Sequence, residues 1–312
     1  MRRTLASTTV LFSALFAFFA ASAAAEIPLC DGTYSQKTLY TDQGVLESVI
    51  VGNAGRLYFA GTPSGVATGS GQLLKIQKPG DTPIPLVDGP PGPGGLAWSG
   101  RKLLWGYGNS VANGSTGDTD PKAGLYSVNP VNGKKTVVAD DLGMANGITR
   151  ARNGTIFASN DLGTKLDRIK DGTTTNGWAT LAGANGLTIS RGGKYLYANQ
   201  TFLAPSRISR IEIADPSNII TYAMSPDPGT VILDGLTRDN EGSLYAAAWG
   251  AGQVWKIDSK KRICVVASGL KQPSNLAFGA GKKGFQAGNL YVVGFGGEIV
   301  KVSGAIGATF PG

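Results

Sequence analysis

The chain contains no histidine. A Ser-His-Asp or Cys-His hydrolase needs an imidazole to take the nucleophile's proton, and the common zinc enzymes use imidazole ligands, so neither chemistry can be built here. Cysteine is nearly absent too. Two residues, Cys30 and Cys264, are too few for an iron–sulfur cluster or a four-cysteine zinc site. Charge is sparse, at 16% of the 312 residues, and beyond the N-terminal segment no stretch approaches the ~20 apolar residues of a membrane helix. Glycine, by contrast, is abundant: 46 residues without the triplet period of collagen point to many tight turns and so to β-structure.

Arg2 and Arg3, an apolar run over 10–20 and small residues at 23–25 have the pattern of a cleaved secretory signal, with an uncleaved anchor as the alternative. This predicts a signal over 1–25 and one domain over 26–312. Without Arg2 and Arg3, the 29 basic residues become 27 against 21 acidic. A secreted protein, extracellular or periplasmic, meets oxidising conditions, in which Cys30 and Cys264 are expected to form a disulfide; two free thiols are the alternative. The basic residues fall in short groups at expected hairpin turns, Lys134-Lys135, Lys260-Lys261-Arg262 and Lys282-Lys283, with no basic stripe interleaved with aromatics. Neither nucleic acid nor, after signal cleavage, a membrane is an expected partner, and the chain is expected to be a monomer.

A repeat organises the rest. ANGLTISRGGKYLYAN (184–199) recurs as LDGLTRDNEGSLYAAA (233–248) and ANGITRARNGTIFASN (145–160), with weaker copies beginning at 46, 94 and 273. Each copy reads as a β-hairpin followed by a second hairpin-like pair, such as GQVWKID with RICVVAS. Four strands recurring six times at roughly 45-residue intervals predict an all-β, six-bladed β-propeller. The segment KTLYTD (37–42) resembles a fourth strand and the last copy lacks one, so the N-terminal strand is expected to close blade six.

In such a ring the entrances of the six first strands converge on the central channel. They read Glu47, Gly94, Asn146, Asn185, Asp234 and Ser274. Four supply carboxylate or amide oxygens, a set that suits a hard divalent cation, above all Ca²⁺. Asn-Gly and Asp-Gly are also ordinary turn dipeptides, and taken singly each of the three fits a turn between blades better than a ligand. Leu46-Glu47-Ser48 is not a turn signal, which favours the metal reading. The loops after the second strands add a pocket wall of Asp161, Thr201, Trp249 and Phe295, with Tyr107, Asn160 and Phe202 close by. This mixture suits a moderately apolar ester or lactone, although Trp249 and Phe295 fit packing between blades as well. The polar loop over 106–122 is long enough to overhang the entrance.

The copies at 184–199 and 233–250 resemble hallmark segments of the senescence marker protein/gluconolactonase family, which includes regucalcin, calcium-dependent lactonases and diisopropyl fluorophosphatase. The resemblance spans roughly 38–303. It implies a six-bladed propeller with one catalytic divalent metal, usually Ca²⁺, held by residues at the positions of Glu47, Asn146, Asn185 and Asp234; Mn²⁺, Mg²⁺ and Zn²⁺ are alternatives. It further implies hydrolysis of a lactone or related ester, with Asp234 as general base or nucleophile and Glu47 anchoring the metal. Two departures weaken a sugar-lactone assignment. Asn146-Gly147-Ile148 stands where many members have Asn-Asp-Gly, and no counterpart of their sugar-contacting Arg can be placed. A non-catalytic binding propeller and a condensing enzyme like strictosidine synthase are the competing readings.

Overall fold

The computed structural model describes residues 26–65 and 69–311. The expected signal segment, 1–25, lies outside the described residues. Six four-stranded antiparallel sheets form the blades of a propeller. The innermost strands are Val45–Val51, Pro93–Ser99, Ile148–Arg150, Ala184–Ile189, Leu233–Arg238 and Pro273–Phe278. Ser35–Tyr40 pairs antiparallel with Ile299–Ser303 as the outer strand of blade six, so the chain closes the ring with its N-terminal strand, as the repeat arithmetic predicts.

Burial explains the residue pattern of each blade. Second strands such as Leu244–Ala248 and Leu290–Gly294 are buried at every position because neighbouring blades cover both faces, and they are apolar throughout. Outer strands such as Lys135–Leu142 are mostly exposed or half-buried and carry charge. The core is accordingly a ring of six hydrophobic clusters, one at each junction between adjacent blades.

The cysteines pair. Cys30 and Cys264 form a disulfide with Cα atoms 4.9 Å apart. The Cys30 backbone N–H donates to the Val265 carbonyl at 2.9 Å, which lays the start of the chain along the outer strand of blade five before it crosses to blade six. No helix among the described residues is long and apolar enough to cross a membrane.

Candidate metal-binding and active site

The six strand entrances meet at one end of the channel, and a recurrent irregularity aims their side chains inward. Pairing between the first and second strands slips between Leu46 and Ser48, Pro93 and Leu96, Ala184 and Leu187, Leu233 and Leu236, and Pro273 and Asn275. Glu47, Asn185 and Asp234 therefore sit within bulges, which redirect a side chain that regular pleating would send against a neighbouring blade. Asn146 lies two residues ahead of the short strand Ile148–Arg150.

The following glycines have a different role from the turn reading. Gly147, Gly186 and Gly235 all lack a positive φ. A Cβ on them would lie 2.2 Å from the Asn185 carbonyl oxygen, 2.4 Å from that of Asp234 and 2.7 Å from that of Ser274. The Asn-Gly and Asp-Gly dipeptides thus let the inner strands of adjacent blades touch backbone to backbone, and do not turn the chain. Side chains tie the same waist together. Ser48 Oγ donates to the Gly94 carbonyl at 2.8 Å, Ser159 Oγ to Asn185 at 2.6 Å, Asn199 Nδ2 to Asp234 at 2.7 Å and Ser274 Oγ to Leu46 at 2.6 Å.

Above the waist is a cavity of about 200 Å³. Glu47, Asn146, Asn185 and Asp234 all line it, together with Asp161, Thr201, Phe202, Trp249 and Phe295. Trp249 and Phe295 contact each other edge to face, with centroids 6.0 Å apart and planes at 83°, and continue an apolar wall of Val45, Val111, Met144, Leu162 and Ile232. Asn185 Nδ2 donates to Thr201 Oγ1 at 3.0 Å, which leaves its amide oxygen for the cavity.

Tyr107 and Asn160 lie outside the lining. Tyr107 stacks on Tyr126 at 4.4 Å, on the body of blade two. Asn160 is buried, and its Nδ2 donates to the Gly114 carbonyl at 2.9 Å. That bond tethers helix α1, Val111–Thr116, which Ser110 caps by accepting from the Asn113 N–H. The helix belongs to the 106–122 loop, and the loop is further pinned by Thr164, whose N–H and Oγ1 both donate to Asp118 Oδ2 at 2.7 Å. It is a fixed wall that brings Ser110 and Val111 to the cavity. Sequence reasoning missed Asn109 in this loop, whose Nδ2 donates to Glu47 Oε1 at 2.8 Å and orients that carboxylate. A polar loop of no fixed pattern gives no signal for one anchoring amide.

The electrostatics of the cavity are one-sided. Burial raises the Glu47 carboxyl well above the usual carboxylate range, and the nearby Asp161 adds to the shift, while Asn109 partly offsets it. Asp234 is raised by burial, then by Glu47 and Asp161, against an opposing hydrogen bond from Asn185. Asp161 is pushed up to about 6, mainly by burial, with the Asn146 amide pulling the other way. Asp161 Oδ1 and Thr62 Oγ1 are buried without a hydrogen-bond partner. Among the described residues no Lys or Arg lines the cavity to balance the three acids. Asp161 brings a carboxylate to the cavity from blade three, on the loop after that blade's second strand.

A family profile described as the SMP-30/gluconolactonase/LRE-like region matches residues 158–294, from the second strand of blade three to that of blade six. No curated protein matches by sequence. Among solved structures, a gluconolactonase from Xanthomonas campestris is 17% identical with a TM-score of 0.66, over 90% of this chain and 98% of the other. A calcium-binding regucalcin from Agrobacterium tumefaciens is 17% identical with a TM-score of 0.65, over 87% and 94%. A virginiamycin B lyase from Staphylococcus aureus is 14% identical with a TM-score of 0.57, over 87% and 99%. At these identities the likeness establishes the fold, which these relatives use for different chemistries. The resemblance carried by the repeats and the profile match agree: this chain is a six-bladed propeller bearing the SMP-30/gluconolactonase/LRE-like region.

Proposed function

We propose that the chain is a secreted, metal-dependent hydrolase of an uncharged, predominantly apolar lactone or related ester, with Ca²⁺ as the metal. The observation that carries this reading is the convergence of Glu47, Asn146, Asn185 and Asp234, from four blades, on one cavity that also holds Asp161 and that no Lys or Arg among the described residues lines. An all-oxygen donor set with two carboxylates fits a hard divalent cation, and the raised carboxyl groups describe a charge that such an ion would neutralise. When bound, the ion supplies Lewis-acid stabilisation of the oxyanion that develops on the substrate carbonyl.

The chain's own residues do the rest. Asn109 holds Glu47 as an anchor. Asp234 takes the proton from the water that adds to the carbonyl carbon, and returns it to the alkoxide released when the acyl C–O bond breaks. Asn185, fixed by its bond to Thr201, sits close enough to Asp234 to favour the ionised carboxylate. The wall of Trp249, Phe295, Phe202 and Ile232 excludes water and holds the apolar part of the ring. Gluconolactone is polyhydroxylated and would find few donors along this wall, so apolar lactones are the favoured class. The disulfide supports an oxidising compartment and therefore secretion.

The test is acid release by pH-stat from aliphatic, aromatic and sugar lactones, with Ca²⁺ and after chelation. Hydrolysis of the apolar members that disappears on chelation and returns with Ca²⁺ supports the reading. Calcium binding without hydrolysis of any lactone or ester moves the non-catalytic binding propeller ahead.

A further inference from the structure

The opposite end of the channel carries a second cavity, about 310 Å³, that shares no lining residue with the first. All six inner strands contribute to it, because it occupies the lower half of the channel below the glycine waist. Its lining exposes more polar than apolar surface; Leu96, Ile148, Leu187, Leu236 and Leu276 reach it only from the edges of the buried clusters between blades, and its size is at the small end for ligand pockets.

Polar groups on this lining follow the repeat. Thr149, Thr188 and Thr237 occupy the same position in blades three, four and five, three residues beyond Asn146, Asn185 and Asp234. All three line the cavity, as does Arg150. None of the three hydroxyls nor the Arg150 guanidinium has a hydrogen-bond or ion-pair partner among the described residues. The family-type chemistry of the upper site uses none of them.

The charge around this mouth is as one-sided as that above the waist, and opposite in sign. From the last residue of each first strand to the first residue of each second strand, the six turns hold ten Lys or Arg against Asp239 and Glu241, a surplus of eight. Asp239 is occupied internally: it accepts three backbone N–H groups and the Tyr245 hydroxyl. Arg238 is half-buried, donates only to the Ile189 and Asp239 carbonyls, and is held below its ordinary pKa by burial and by Arg152 and Arg191 nearby. The Asp239 carboxylate and Tyr197 only partly offset this crowding of arginines, and a bound anion would relieve the rest.

We propose that this lower mouth is a binding site for a small organic oxyanion, an alkyl or aryl carboxylate or phosphate monoester. Arg150 and the three threonine hydroxyls hold the oxyanion, Arg152, Arg191 and Arg238 add positive charge from the turns at the rim, and the small organic body meets the aliphatic edges between them. Arginine's planar donors suit either head group, and the ring of positive charge raises the rate of capture. The site stands independently of the hydrolase reading, since the two cavities are separate.

The test is calorimetric titration of the mature protein at low salt with benzoate, phenyl phosphate and benzyl alcohol. Either anion should saturate one site per chain while the alcohol does not bind, and the tighter of the two identifies the head group. Arg150→Met should weaken anion binding about tenfold or more, the loss of a charged hydrogen-bonding partner, without altering Ca²⁺ binding at the upper site. The doubly substituted rim variant Arg152→Gln/Arg191→Gln, at exposed positions, should weaken binding several-fold even if Arg150→Met proves poorly folded. Equal binding of the alcohol, absence of saturation, or anion binding that survives both variants but is lost in Asp234→Asn would overturn the proposal.

Discussion

If the glycines of the waist are there because neighbouring inner strands touch, a single methyl group should force them apart. Gly186 is the clearest case. A Cβ there would lie 2.4 Å from both the Asp234 carbonyl oxygen and the Leu236 nitrogen, and 2.5 Å from the Gly235 carbonyl carbon. All three are backbone atoms, so no side chain can swing away. Blades four and five would have to separate by about 1 Å to reach the 3.4 Å of an ordinary contact. Overpacking of this kind costs about 1–3 kcal/mol, and the rigid obstacle places Gly186→Ala at the upper end. Because the displaced strand carries Asp234, Ca²⁺ affinity should also fall, by roughly tenfold. Gly192 is the matched control: its Cβ would meet nothing within 4 Å and its φ is not positive, so Gly192→Ala should be neutral or slightly stabilising. Urea unfolding and calcium titration of the two variants make the comparison. Wild-type stability and calcium affinity in Gly186→Ala would refute the close-approach account and restore the turn explanation of the Asn-Gly and Asp-Gly dipeptides.

Further outcomes follow from the same geometry. Asp234→Asn should lower kcat by about 10²–10⁴, the usual contribution of a positioned base; steady-state kinetics at saturating Ca²⁺ separates this from weakened metal binding. Metal-free protein should lose stability as the pH rises from about 4 through 6 and beyond. A carboxyl with a raised native pKa favours the folded state while protonated and opposes it once both states would ionise, and Asp161, Glu47 and Asp234 all shift in that direction. Melting curves at pH 5 and pH 8, with and without Ca²⁺, should show the calcium-induced stabilisation growing over the same interval. Cys264→Ala should cost about 2–5 kcal/mol, because the Cys30–Cys264 link constrains a segment of 234 residues in the unfolded chain; denaturant midpoints of oxidised, reduced and substituted protein check this.

The ring was legible in the sequence because every blade repeats the same burial problem. A pair of inner strands covered on both faces needs an apolar hairpin, and six copies announce themselves by period. The missing outer strand of the last copy likewise pointed to Ser35–Tyr40. The meaning of the glycines was not legible, since Asn-Gly spells a turn as readily as a close approach. Only neighbouring strands from different blades distinguish the two, and that contact is non-local. The same limitation applies to Asn109, 62 residues from the Glu47 that it orients. Tyr107 and Asn160 adjoin the loops that build the wall, but the Tyr126 ring and the Gly114 carbonyl claim their side chains, and both partners are distant in sequence. The lower mouth was hidden in a different manner: the basic residues look dispersed along the chain and become a ring only when six turns are brought to one face.

If four oxygen donors from four blades bind one divalent cation, calcium titration calorimetry on chelator-stripped, dialysed protein should register one ion per chain, with binding strongly weakened by either Glu47→Gln or Asp234→Asn and left intact by Arg150→Met. Absence of saturable binding, or binding that is indifferent to both carboxylate substitutions, would contradict it.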